Sequence, residues 1–97
     1  MSNLREPAPV IAQIAEHAAQ LADADGVPVM SVPNQFGGLD LDTEAGWRVR
    51  IVSEDAECGL VELYVLDRAG VVYAQAHITS GFPASAVAGL VHAALTR

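Results

Sequence analysis

Lysine is absent from the 97 residues, and five arginines stand against twelve carboxylates, for a formal charge of −7. Neutralising nucleic-acid phosphates requires a basic face, and scattered arginines do not make one. Anionic membranes are disfavoured on the same ground. Cysteine is nearly missing as well. Cys58 stands alone, which excludes an internal disulfide framework and a cysteine-built zinc site. No apolar run approaches the roughly 20 residues of a membrane span. No basic stretch precedes an apolar one near Met1, so no signal peptide is expected. These absences point to a cytoplasmic protein, and the lysine-free, alanine- and valine-rich composition suggests a high-GC bacterial or phage genome.

What is present is enough to fold. Hydrophobic residues make up 52% and charged residues 18%, too apolar for a disordered chain. The length suits one domain spanning 1–97, with 1–6 as a loose tail. Two β-rich runs, 60–66 and 71–78, flank Asp67-Arg68-Ala69-Gly70, and together they predict a β-hairpin. Trp47, Val49 and Ile51 alternate with Arg48 and Arg50, which predicts another strand. The run 27–32 reads as an edge strand, because Pro28 and Pro33 remove ladder donors.

Helical spacing brackets these strands. Val10/Ile11, Ile14, Ala18 and Leu21 form one stripe that ends at Asp23-Ala24-Asp25-Gly26. Val87, Leu90, Val91, Ala94 and Leu95 form another beyond Pro83. Residues 33–46 show no periodicity and carry Gly37-Gly38 with Asp40, Asp42 and Glu44, so they predict a long loop that is either mobile or used for binding. The fold class expected is α+β, in the order α-β-β-β-β-α. A four-stranded antiparallel meander would carry both helices on one face.

Pairing Leu66 with Val71 across the hairpin sets Val65 opposite Val72 and Tyr64 opposite Tyr73. A similar pairing sets Arg50 opposite Glu62 and Arg48 opposite Tyr64. Trp47, Val49, Ile51, Val61, Leu63, Val65, Val72, Ala74, Ala76 and Ile78 then face the core. The other face carries Arg48, Arg50, Glu62, Tyr64, Leu66, Val71, Tyr73, Gln75 and His77, with Val52 and Leu60. A merely solvated face is mostly polar, whereas interfaces concentrate aromatics and arginine. This face is the candidate partner-binding surface, for a second copy of the chain, another protein, or both.

Catalytic readings are weak by comparison. Cys58 has Glu54, Asp55 and Glu57 nearby, and negative charge disfavours the thiolate. His17, His77 and His92 fall on different predicted surfaces and lack a helical metal spacing. Asp40-Leu41-Asp42-Thr43-Glu44 begins like a calcium loop, yet Ala45 and Ile51 stand where glycine and a bidentate glutamate are required. Ser80-Gly81 lacks the glycine pattern and lysine of a phosphate loop. The sequence therefore predicts a non-enzymatic acidic interaction module without metal or cofactor, a homodimer that binds through the open sheet face or through the exposed edge strand. The alternative is a small-ligand or accessory domain of an enzyme complex, with a pocket under the 33–46 loop.

Overall fold

Proline at position 9 begins the first helix, where a missing N–H has no helical acceptor to lose. The computed structural model describes residues 9–55, 60–78 and 83–96. Within them run α1 (Pro9–Ala24), β1 (Val29–Pro33), β2 (Leu39–Thr43), β3 (Arg48–Asp55), β4 (Leu60–Leu66), β5 (Val72–Ile78) and α2 (Ala84–Leu95). The expectations for Cys58 and for Ser80-Gly81 fall outside the described residues.

Helix α1 buries Ile11, Ile14, Ala15, Ala18 and Ala22, one stripe at three- and four-residue steps. It ends as its sequence requires. Gly26 takes φ 78°, and the Val27 N–H reaches back to the Ala22 carbonyl at 2.9 Å, closing the glycine-terminated helix end. Helix α2 follows Pro83, whose carbonyl accepts the N–H groups of Ala86 and Val87. It buries Val87, Ala88, Val91 and Leu95. Leu90, expected in that stripe, is instead 52% exposed.

The sheet has five strands, not four, in the spatial order β1-β2-β3-β4-β5 with every pair antiparallel. The added strand is β2, inside the stretch expected to be a long loop. Its residues alternate Leu-Asp-Leu-Asp, and Leu39 and Leu41 are buried opposite Ile51 and Val49. β1 is an edge strand, as its prolines demand.

One turn lets β2 enter the middle of the sheet. Asn34 Oδ1 accepts the N–H groups of Phe36 and Gly38, while Nδ2 donates to the Ile51 carbonyl and to Asp40. Gly38 lies so close to β3 that an added Cβ would sit 1.7 Å from the Ile51 carbonyl oxygen. Only glycine passes there.

Both helices cover one face of the sheet. Ile11, Ile14, Val87, Val91 and Leu95 share a single core cluster with Leu39, Leu41, Val49, Ile51, Val61, Leu63 and Ile78. The alternation expected for β3 and β4 places the correct residues on this face. The pairing itself differs by two residues, with Arg50 opposite Tyr64 and Arg48 opposite Leu66. A two-residue slip keeps every side chain on its face.

The hairpin register differs more. Leu66 pairs with Val72 and Val65 with Ala74, so Tyr73 is the extra residue of a bulge. Val71 drops into the turn, where its N–H bonds Asp67 Oδ1. Val72 crosses to the face away from the helices. Tyr64 pairs with Gln75, and the Tyr73 ring meets Trp47 edge-on at 5.6 Å. Trp47 precedes β3 and is half-buried, not a core residue.

Gly38→Ala should cost more than about 3 kcal/mol, because a methyl group would displace the β3 backbone and not merely a side chain. Urea unfolding checks this, and a loss below about 1 kcal/mol would show that β2 does not lie against Ile51.

Candidate functional site

The sheet face without helices is laid out in three rows, each running across the strands. The first row is Met30, Asp42, Arg48, Leu66 and Val72; the second is Val32, Asp40, Arg50, Tyr64 and Gln75. The third is Val52, Glu62 and His77. The strand period of two residues brings these side chains to one side, and the same period hides Leu39, Leu41, Val49 and Ile51 beneath the helices.

Two ion pairs occupy the middle. Arg50 grips Asp40 with both ends of its fork, Nε at 3.0 Å and an Nη at 3.1 Å. Arg48 grips Asp42 likewise, at 2.6 and 2.9 Å. Two-point pairing of this kind is the stronger form of charged hydrogen bond. Asp40 is the buried member, 7% exposed. It also accepts from Asn34 at 3.0 Å and lies 3.6 Å from the Arg48 guanidinium. The hydrogen bond to Asp42 holds the Arg48 guanidinium above its ordinary value. Burial opposes that shift, and the charges of Asp42 and Asp40 add to it. Arg48 therefore stays charged wherever the protein is folded.

Apolar groups surround these charges. The Phe36 ring lies 5.2 Å from the Arg50 guanidinium carbon, in cation–π range. Met30 (67% exposed), Val32, Phe36 and Val72 are exposed large hydrophobics on this face. Phe36, Arg50, Val52, Glu62, Tyr64, Leu66 and Val72 line a shallow cleft of about 350 Å³. Along one side, Glu62 accepts the Tyr64 hydroxyl at 2.5 Å, and His77 Nδ1 lies 3.2 Å from its other oxygen.

The structure thus brings Arg48, Arg50, Glu62, Tyr64, Gln75 and His77 together as the strand alternation predicts. It does not bring Val71 or Tyr73 with them, and Leu66, between Arg48 and Val72, is largely buried and reaches the face only as part of the cleft wall. The side chain of Leu60 lies outside the described residues. Met30, Val32, Asp40, Asp42, Phe36 and Val72 belong to the face and were not foreseen.

Elsewhere the candidate chemistry disperses. The carboxylates of the calcium-like run 40–44 lie on or just beyond a strand, where Asp40 and Asp42 are taken up by arginines. His17 is exposed on α1. His92 Nε2 lies 2.6 Å from Asp25, tying α2 to the end of α1. Among the described residues no group of three His, Cys, Asp or Glu is placed to hold a metal ion. No described helix is long and apolar enough to cross a membrane.

Comparison with models of protein families, with curated proteins and with solved structures gives no match.

Removing one partner of a withdrawn pair strands the other charge. Because the Arg50 side chain is still 27% exposed, water reduces the penalty. Asp40→Ala and Arg50→Ala should each cost about 1–3 kcal/mol, and a double-mutant cycle should show them coupled. Additive losses in urea unfolding would contradict the pairing.

Proposed function

We propose that this protein is a non-enzymatic binding module that receives another protein on its helix-free sheet face. One observation carries the reading. Met30, Val32, Phe36 and Val72 stand exposed on that face, around a centre of paired charges. Met30 and Val32 stand on one edge strand and Val72 on the other, so a partner that covers them spans the whole face. Its side-chain types, an aromatic ring, a methionine and two arginines, are those that interfaces enrich, here with the charges at the centre and the apolar groups around them. The paired charges serve orientation, since a partner that misplaces its own charges over Asp40, Asp42, Arg48 and Arg50 is penalised.

A second copy is a poor occupant for this face. Tyr64 and Tyr73, expected side by side as the aromatic centre of this face, are not cross-strand partners, since Tyr64 pairs with Gln75. Two such faces would also press four carboxylate–guanidinium pairs against each other. We read the protein as cytoplasmic, in keeping with its lack of a disulfide framework.

A second reading rests on the cleft beneath Phe36. At about 350 Å³ it lies at the small end of ligand sites, and it offers Arg50, Glu62 and Tyr64 to an amphipathic molecule.

The variant Met30→Asp with Phe36→Asp changes only exposed side chains, so its unfolding midpoint should stay within experimental reach of the wild type. Cross-linked pull-downs from the source cells should recover a protein with the wild type and lose it with this variant. Identical recoveries from both would remove the sheet face as the binding surface. Thermal shift with a panel of small amphipathic molecules tests the second reading, which fails if none raises the midpoint.

A further inference from the structure

We infer that the β5 edge and the outer side of α2 form a self-association surface, where two copies pair antiparallel through β5. This surface lies at one edge of the sheet and on its helix side, sharing only strand β5 with the face proposed above for another protein, and the inference does not rest on that proposal.

Three observations converge on it. The first is composition. Helix α2 contains no Asp, Glu, Lys or Arg. Apart from Ser85 and the Asp25-bound His92, its exposed positions Ala86, Leu90 and Ala93 are apolar, so much of its outer side is apolar as well as its inner side. A helix apolar all round is normally a buried helix. The second is shape. Between α2 and the outer strands lies an apolar groove of about 330 Å³, lined chiefly by Val65, Ala74, Ala76, Leu90, Ala93 and Ala94. The small alanines of β5 leave it open.

The third observation is the strand edge itself. β1 and β5 are the two edges of the sheet. β1 ends in Pro33, and proline is a standard way to blunt an edge. β5, Val-Tyr-Ala-Gln-Ala-His-Ile, holds neither proline nor a carboxylate, lysine or arginine. No described strand pairs with its outer side. Beyond the bulge at its start it is a regular template for another strand.

Charge selects the occupant. The chain carries −7, so two copies repel each other over most orientations. The helix-free face carries Asp40, Asp42 and Glu62, and the region where α1 ends carries Asp23 and Asp25. Neither β5 nor α2 contains a carboxylate of its own, and among the described residues the two that reach them, Glu62 at His77 and Asp25 at His92, each sit against an imidazole. The β5–α2 surface is where an acidic chain can meet its own copy without stacking like charges.

Antiparallel pairing of a strand with itself is also a two-fold operation, which closes the assembly at a dimer. Such pairing extends the sheet through both copies. On the helix side it brings Ala74 and Ala76 of one copy against those of the other, since strand alternation keeps them on that face. The two grooves then merge into one, and the Leu90 side chains fill it from both sides.

Sedimentation of the full chain tests this, together with Leu90→Glu and Leu90→Lys. Leu90 is half exposed and outside the core cluster, so both variants should keep the wild-type circular dichroism and unfolding midpoint at low concentration. The wild type should be dimeric on the order of 100 μM, and either charge should weaken association by at least about 30-fold, as loss of a central anchor does. Mixing the two variants should restore dimers, because glutamate then faces lysine across the two-fold axis. Amide exchange along β5 should slow as the wild-type concentration rises. A wild type that stays monomeric overturns the inference. So do Leu90 variants that associate like the wild type, and so does a mixture that remains monomeric. Loss of the dimer in Met30→Asp with Phe36→Asp, but not in the Leu90 variants, would assign self-association to the other face and overturn it equally.

Discussion

Asp40 is a carboxylate withdrawn from water on the one face of the sheet that no helix covers. A charge in that position is tolerable only while its acceptor sites are filled. Arg50 fills them from β3, Asn34 from the turn before β2, and Arg48 approaches from the next row. Three successive segments must be in place together for that to hold. The interaction therefore orders the chain more than it adds to its stability, because the same charges fully hydrated would cost little.

From this pair the other features follow. With Asn34 held by Asp40 and by the Ile51 carbonyl, Phe36 is presented at the mouth of the turn and its ring reaches Arg50. With β2 held beside β3, Leu39 and Leu41 project to the opposite side and supply the core that α1 and α2 close over. The binding face and the core are two sides of one strand alternation.

Much of this was legible in the residues. The stripes of α1 and α2, the glycine at the end of α1 and the alternation of β3 and β4 all announce themselves, because each obeys a single period. β2 was legible too, since Leu39-Asp40-Leu41-Asp42 alternates as strictly as Val49-Arg50-Ile51. The surrounding glycines, proline and carboxylates masked it. The use of Gly38 lies in a close approach to Ile51, and no local pattern carries that. The bulge at Tyr73 was beyond reach for a similar reason. Which residue a hairpin leaves unpaired depends on how its turn closes, here through Asp67 bonding the N–H groups of Ala69 and Val71. That one residue decides whether Val72 or Tyr73 joins the binding face.

The core unites two helices that stand at opposite ends of the sequence order, with the whole meander between them. Each strand pairs with the one just before it, so the sheet can be assembled by short, inexpensive closures. The helical layer cannot. α1 precedes these strands and α2 follows them, so during synthesis the apolar stripe of α1 must wait for α2, its partner in the helical layer. The waiting stripe is built largely from alanine, and Ala15, Ala18 and Ala22 give a stalled chain little to stick to.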